Sequence, residues 1–598
     1  MNNNKTKSNE KVKKPKLKYR FLVVAFTISM AFFLIIIRLG YIMIGMGPKY
    51  KAIADDQQKS EIKINPKRGS ILDRNGNELA VSAGVYEIDL DLKTLRQTLN
   101  SENISADDLA AKLGSILNMK PKEITKIFNS TLKNGLPASS ATLKRQVEKS
   151  EVDKVKALNV RGIVISPDTK RFYPNGNFLS SVLGTLNSEG IGVSGVEQAY
   201  NKEMMGIPGR NSYEKDVKSN QLPYEDSQYV KPVDGKNVVL SIDETIQEYA
   251  ETAAEKALKD NNAKSVSVIV MNPKNGEVLA MTSKPDFDPN NPYAGSKNSK
   301  DTAALWQNRS VQNTFEPGSI FKVITSACAI ENNIGVNDAY TCNGSIKVNK
   351  VPINCWDLNG HGTESFGDII KNSCNVGFVE LGSKLGKDKL IPFIQRMGFG
   401  QKTGIDLPGE AAGILRDQSK INNVDLATIA FGQGLGVTQV QYMAAFNAVA
   451  NGGTWIRPHV MKQITHADEN SKTIVDKEYS NYGKKTVYNA GEAATLRQYL
   501  VKVVTEGVGK KAFVKDLDIA GKTGTAQIAD PKTGTYAAGK YMSSFAGMAP
   551  STDPKITMLV SVEEPGASNY YASEVAAPVA KDLFTEIFNY LAIKGDLK

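Results

Sequence analysis

The sequence predicts an α+β chain in three parts: an N-terminal transmembrane helix, an extended α+β pedestal, and a C-terminal domain built as an antiparallel sheet covered by helices. Three observations carry that reading. A basic cluster runs straight into an uncharged apolar stretch, residues 58–98 alternate as strands do, and beyond Val238 amphipathic helices bracket strand-like runs at both ends. Length agrees, since 598 residues exceed a single core and imply three or four units of roughly 100–200 residues.

The formal charge of +11 sits mostly in the tail. Residues 1–20 hold eight Lys or Arg and one Glu, a net +7, so the other 578 residues share +4. A basic tail on a near-neutral body excludes a nucleic-acid platform. Hydrophobic residues at 41% and charged residues at 23% exclude a disordered or collagenous chain. Four cysteines exclude a disulfide-built scaffold.

Phe21–Ile37 is an uncharged run of 17 residues. It reaches about 25 Å as a helix, slightly short of a ~30 Å hydrocarbon core. Arg38 can snorkel, and Leu39–Met46 extends the apolar stretch. A cleaved signal peptide would need a shorter apolar region and a small-residue cleavage site, and a core helix would not follow a lysine cluster. Residues 1–20 are therefore read as a cytoplasmic tail and 21–46 as a single-pass anchor in the cell membrane, with everything beyond Met46 outside.

Residues 47–235 form the expected pedestal. KSEIKINPKRGSILDRNGNELAVSAGVYEIDLDL alternates, with an Asn75-Gly76 hairpin turn at its middle. Ser105 stands three residues before Asp108 as a capping pair, and Leu109, Leu113, Ile116 and Leu117 recur at helical spacing. Residues 160–235 are rich in Gly, Pro and Asn and read as irregular. The texture changes at Val238, which puts the boundary near residue 235 and the last domain at 236–598. VVLSID reads as a strand, and ETIQEYAETAAEKALKD as a helix with Ile246, Tyr249, Ala253 and Ala257 on one face. SVSVIVMNPKNGEVLAMTS predicts two strands joined at Asn275-Gly276, Ile519–Val562 three more, and VAKDLFTEIFNYLA a closing helix.

A serine nucleophile can be activated by His or by Lys. His361, His459 and His466 stand in no evident Ser-His-Asp arrangement, and G-x-S-x-G does not occur, so a Ser-Lys pair is the better candidate. S-x-x-K occurs at Ser8, Ser60, Ser130, Ser212 and Ser319. An isolated S-x-x-K describes a capping serine and a surface lysine, and context must separate the five. Ser8 is in the tail, Ser60 in a membrane-proximal strand, and Ser130 and Ser212 in polar, turn-like stretches. Only Ser319 follows a Pro317-Gly318 turn and opens an apolar helix, IFKVITSACAI. There Ser319 and Lys322 share a face one turn apart, and the helix N-terminus favours a developing oxyanion. Burial among Ile320, Phe321 and Val323 would lower the Lys322 pKa for work as a base.

Two further elements strengthen that choice. Ser373-Cys374-Asn375 precedes another helical pattern. Lys-Thr-Gly occurs at Lys402, Lys522 and Lys532. Lys402 lies in a Gly/Pro-rich loop, and Lys532 follows an Asp530-Pro531 turn. Lys522 follows DLDIAG, an alternating strand, and is flanked by Gly521 and Gly524. A strand carrying Lys522 and Thr523 can take a bound peptide along its edge as an added strand.

FEPGSIFK, NSCN and GKTGTAQ, in this order, resemble the three active-site motifs of the penicillin-binding proteins and serine β-lactamases. NRSVQNTFEPGSIFK, GFGQKTGIDLPGE, IAFGQGLGVTQVQ, KRGSILDRNGNELA and GVSGVEQAYNKEMMG look like stretches of the class B penicillin-binding transpeptidases, nearest the cell-division and spore-cortex branch. The resemblance implies a pedestal of the dimerisation type, a β-lactamase-like catalytic fold, and cross-linking of peptidoglycan stem peptides on nascent, lipid-linked glycan. Ser319 would form the acyl-enzyme and Lys322 take its proton. Ser373 and Asn375 would complete the relay and hold the substrate amide. Lys522 and Thr523 would bind the terminal carboxylate, Gly524 and Thr525 would belong to the same substrate-binding strand, and the backbone N–H groups of Ser319 and Thr525 would form the oxyanion hole. It also implies covalent inhibition by β-lactams, a division-type membrane glycan polymerase as partner, and no cofactor for catalysis. The rivals are a D,D-carboxypeptidase, which uses water in place of the amine, and a catalytically silent membrane-anchored scaffold. A β-lactamase needs no anchor and pedestal, and a β-lactam sensor needs a cytoplasmic output element.

The cysteines leave three outcomes open. NGSIKVNKVPIN between Cys342 and Cys355 reads as a hairpin that brings both sulfurs together at its base. A disulfide fits an exported chain. A tetrahedral Zn²⁺ site fits the addition of His361, with Asp357 or Cys374 as fourth ligand. Free thiols, with His361 hydrogen-bonded within a Gly-rich loop, are the third. Zinc would brace the loop leading into Ser373.

Overall fold

The computed structural model describes residues 17–50, 59–133, 135–214, 228–294, 296–480, 483–530, 533–566 and 569–595. Most of the basic tail, Ser8 and Lys532 lie outside them.

Apolar side chains on every face make α1 (Leu17–Gly40) a helix with no core of its own. With the π-helical turn Tyr41–Gly45 it forms a segment, Tyr19–Gly45, whose most apolar 18-residue window has a mean hydropathy of 2.5 and is wholly unburied. A helix that is apolar all round and unburied is compatible with a membrane anchor.

In the pedestal, Ile71–Leu72 turns at Asn75-Gly76 into the long strand Glu78–Asp91, which pairs with both Ser140–Val147 and Ile163–Phe172. The strand pattern expected through residue 98 stops at Asp91. Its carboxylate accepts from Thr94 N at 3.0 Å and starts the helix Leu92–Ser101. Ser105 caps the helix Ala106–Leu117 through Asp108 N. The segment expected to be irregular contains a ten-residue strand, Ile163–Phe172, despite Pro167. Among the described residues it pairs with Glu78–Asp91 alone, and an edge strand tolerates proline because one side of its ladder needs no N–H. Ser212, expected in a turn, lies in the strand Gly209–Glu214 opposite Glu61.

The catalytic half is organised by one five-stranded antiparallel sheet. Its strands are β1 (Ser265–Met271), β2 (Val278–Lys284), β3 (Ala520–Ala529), β4 (Tyr536–Ala549) and β5 (Ile556–Glu563), in the spatial order β2-β1-β5-β4-β3. Period-two alternation sends Val266, Val268 and Val270 to one face and Ile269 and Met271 to the other, and both faces are buried. Ala250, Leu583 and Phe584 cover the first face from α2 (Glu244–Asp260) and α8 (Ala577–Lys594). The second face packs on a helical layer built around α3 (Lys322–Asn332) and α6 (Gln439–Ala450). Two shorter helices, α4 (Phe366–Lys371) and α5 (Asn375–Leu385), join this layer, as does α7 (Ala490–Thr505). Among the described residues β3 is an edge strand, so one side of its ladder stays open.

VVLSID forms a strand, Asn237–Leu240, outside the catalytic sheet. It sits between Ile71–Leu72 and Met461–Ala467 in a seven-stranded sheet drawn from both halves of the chain.

Candidate active site

Ser319 lies in a 3-10 turn, Gly318–Phe321, that feeds directly into α3 at Lys322. The turn is pinned by Gly318 N donating to Gly432 O at 2.9 Å and by the Tyr442 hydroxyl donating to Ile320 O at 2.9 Å. Ser319 keeps partial exposure while Lys322 is fully buried. Between α4 and α5, Ser373 takes a left-handed conformation at φ 56°, rare for a β-substituted residue and typical of strained functional positions. Lys522 projects from β3, also fully buried.

These three segments meet at two amines. Lys322 Nζ donates to Ser373 O at 2.7 Å and to Asn375 Oδ1 at 2.7 Å, and lies 3.2 Å from Ser373 Oγ. Lys522 Nζ donates to the same Ser373 Oγ at 2.9 Å. The Ser373 hydroxyl thus bridges two buried lysines from different elements. Burial holds the Lys322 pKa down to about 8 against the opposing pull of Cys355, Cys374 and Glu364. A neutral amine has two donors and a lone pair, and Ser373 O with Asn375 Oδ1 occupies both donors. The lone pair is left to accept a proton.

In the free site, burial and the neighbouring Lys322 push Lys522 well below its ordinary value. A carboxylate placed beside it favours the charged form. The other Lys-Thr-Gly that can be described differs in kind: Lys402 is exposed on a loop whose Thr403 hydroxyl is tied to Glu410 at 2.6 Å.

Gly524 explains why β3 can approach the turn that carries Ser319. A Cβ there would lie 2.8 Å from Ile320 N and 3.0 Å from Pro317 O. On the opposite side Gly318, at φ 54°, would place a Cβ 2.9 Å from Ala526 Cβ. Strand and turn meet through glycine on both sides. The Thr525 hydroxyl accepts from Ala572 N at 3.0 Å, which orients that end of β3.

The strands Ser345–Val348 and Val351–Asn354 form the expected hairpin, with Asn354 O accepting from Asn375 Nδ2 at 3.2 Å. Cys342, Cys355, His361 and Cys374 gather at its base with donor atoms within 4.8 Å of one another, and all four cysteines are free thiols. Asp357, a candidate fourth ligand, is not in the group; its carboxylate accepts from Asn359 N at 3.0 Å and caps its own turn. Cys374, the other candidate, takes that corner. Cys355 is pushed down by the Cys374 S–H and the backbone N–H groups of Asn375 and Val376, and Cys374 is raised in return. His361 Nε2 and Glu364 Oε2 are buried beside them without a hydrogen-bond partner among the described residues. Glu364 was not foreseen, because in sequence it is an ordinary strand residue. Glu316 and Tyr536, bonded at 2.9 Å beside the nucleophile, were also missed; the only sequence signal was Glu316 preceding the Pro317-Gly318 turn.

A partly exposed serine at a helix start, a buried lysine of lowered pKa and an open strand edge define a serine acyl-transfer site. Residues 266–585 match the penicillin binding protein transpeptidase domain and residues 63–240 the penicillin-binding protein dimerisation domain. The chain belongs to the penicillin-binding protein transpeptidase family and is a class B penicillin-binding protein. It is 36% identical over 578 residues to stage V sporulation protein D of Bacillus subtilis, covering 96% of this chain and 86% of that one. Against peptidoglycan D,D-transpeptidase FtsI of Escherichia coli the identity is 27%, covering 99% and 96%. The crystal structure of penicillin binding protein 2X from Streptococcus thermophilus superposes with a TM-score of 0.70 at 28% identity, covering 89% of this chain and 80% of that one.

Proposed function

We propose that this protein is a peptidoglycan D,D-transpeptidase acting through a Ser319 acyl-enzyme and inhibited covalently by β-lactams. The observation that carries the reading is the Ser373 hydroxyl bridging the two buried lysines beside Ser319. Ser319 Oγ attacks the penultimate D-Ala carbonyl while Lys322 accepts its proton. The backbone N–H groups of Ser319 and Thr525 stabilise the oxyanion. As the C–N bond breaks, the proton passes through Ser373 to the leaving D-Ala amine, and Asn375 holds the substrate amide. Lys522 and Thr523 bind the terminal carboxylate, and the stem peptide lies along the open edge of β3. An amine of a neighbouring stem peptide then attacks the ester, restoring Ser319. Ser319→Ala should abolish covalent labelling by a fluorescent penicillin with the fold intact, and Lys322→Ala should slow it by about 10²–10⁴-fold. Undiminished labelling of Ser319→Ala would overturn the assignment.

The domains are read as a tail at 1–20, an anchor at 21–46, a pedestal at 47–235 and a catalytic domain at 236–598. The N-terminus is read as lying inside the cell, a reading supported by the basic residues that precede the apolar helix. A division-type membrane glycan polymerase is the partner, meeting anchor and pedestal, since neither matched domain is a polymerase. Lys300→Cys should react with a membrane-impermeant maleimide on whole cells; the four native cysteines are buried and give little background. Labelling only after lysis would reverse the topology.

Cys342, Cys355, His361 and Cys374 are read as a structural zinc site. The donor set is that of a closed tetrahedral centre, and Zn–S bonds of about 2.3 Å require only a small contraction of the group. Bound zinc would brace the loop carrying Ser373 and Asn375. Protein purified without chelator should carry one equivalent of zinc; less than about a tenth of an equivalent with four titratable thiols would remove the reading.

A further inference from the structure

Glu316, three residues before Ser319, has its carboxylate between two other segments. Oε1 accepts from Gly434 N at 3.0 Å and Oε2 from the Tyr536 hydroxyl at 2.9 Å. Tyr536 opens β4, directly after the hairpin that leaves β3. The nucleophile segment is held to the 432–437 segment by backbone bonds as well, through Phe315–Val437 and Gly318–Gly432. Toward β3 and β4 the situation differs. Among the described residues, Glu316–Tyr536 is the one hydrogen bond between residues 315–321 and that hairpin.

Packing does not substitute for it at that end. Gly318 and Gly524 make the close contact near Lys522, but beyond Ala526 a cavity of about 400 Å³ opens, lined by Glu316, Gly434, Gln527, Ile528 and Met542. A cavity withholds the van der Waals contacts that otherwise fix the spacing of two elements.

We propose that Glu316 is a positioning residue that, through Tyr536 and Gly434, sets the distance between Ser319 and the substrate-binding strand β3. The acyl-transfer step needs the oxyanion donor on β3 and the attacking Oγ on the turn held to within about 1 Å. A polar tie reaching from the cavity wall at Glu316 to Tyr536 supplies that constraint. The inference rests on Ser319 and β3 acting as proposed above.

The test is stopped-flow acylation of the membrane-anchored protein by a fluorescent penicillin, separating non-covalent binding from the acylation rate constant. Wild-type labelling at Ser319 is established first; its failure would fault the functional reading and not the tie. Tyr536→Phe removes only a hydroxyl. It should lower the acylation rate constant about tenfold, leaving non-covalent affinity within about threefold and the melting temperature unchanged. Glu316→Gln, which keeps an acceptor and adds a donor, should retain most of the rate. Glu316→Ala/Tyr536→Phe should be no slower than Glu316→Ala, because Glu316→Ala already removes the bond that Tyr536→Phe removes. An unchanged acylation constant in Tyr536→Phe, or single losses that multiply in the double variant, would overturn the proposal. So would a loss in Tyr536→Phe accompanied by an equal fall in melting temperature, which describes a structural role.

Discussion

Ser373 combines backbone strain with a hydroxyl shared by two amines. Its φ of 56° turns its carbonyl to one amine and its hydroxyl to both. Chemistry at such a site follows the charge on Lys322, whose pKa burial holds at about 8. The base form grows about tenfold per pH unit below that value and is saturated above it. Acylation by a β-lactam should therefore rise about tenfold per unit from pH 5 to 7 and level off above pH 8, as measured by labelling rates. A profile flat across that range would exclude Lys322 as the base. The Lys-Thr-Gly sites separate in the same assay: Lys522→Ala should slow acylation by at least about tenfold, whereas Lys402→Ala, exposed on its loop, should stay near wild type. The largest loss at Lys402 would reverse the assignment. The candidate site residues were legible because S-x-x-K at a helix start and Lys-Thr-Gly on a strand are local patterns. Asp357 was a poor candidate ligand for the opposite reason: its own turn satisfied it, and Cys374 arrived from the next element through folded space.

Elements meet here through glycine and capping residues. β3 lies against the Ser319 turn because Gly524 has no Cβ to collide with Ile320 N and Pro317 O. Gly524→Ala should push the strand away, costing about 1–3 kcal/mol of stability and more than tenfold in acylation rate. Thermal melts with labelling kinetics check both; full activity would mean that the contact is looser than its geometry. Capping was readable in the pair Ser105 and Asp108 and unread in Asp91, where alternation seemed to continue. Periodicity does not show where a strand ends if the following helix begins with residues that suit either state. Pro167 misled for a related reason, since a proline breaks a central strand and is accepted at an edge. Sequence does not show which strand is the edge.

Across the whole molecule, two pedestal stretches far apart in sequence close on one buried carboxylate. Glu197 pairs with Arg68 at 2.7 Å and with Arg171 at 2.6 Å, all three almost wholly out of water. Arg68 belongs to KRGSILDRNGNELA and Glu197 to GVSGVEQAYNKEMMG. Glu197→Ala leaves two buried guanidinium groups uncompensated and should cost about 3–5 kcal/mol, read as an early melting of the pedestal. A change under about 1 kcal/mol would show that water reaches the pair. The pedestal is tied to the catalytic half by Tyr200, whose hydroxyl donates to Asp406 at 2.6 Å, and by the seven-stranded sheet that both halves share.

What the sequence by itself determined is what local chemistry encodes: an apolar helix behind a basic tail, the order of strands and helices, and the serine and lysines placed on them by turn and strand signals. The tertiary structure alone decided which distant groups meet. It put one hydroxyl between Lys322 and Lys522, chose Cys374 over Asp357, spread one sheet across both halves, and stretched Glu316 to Tyr536. The physical reason is that periodicity and capping act over a few residues, whereas burial, pKa and pairing depend on neighbours that only the closed chain brings within a few ångströms.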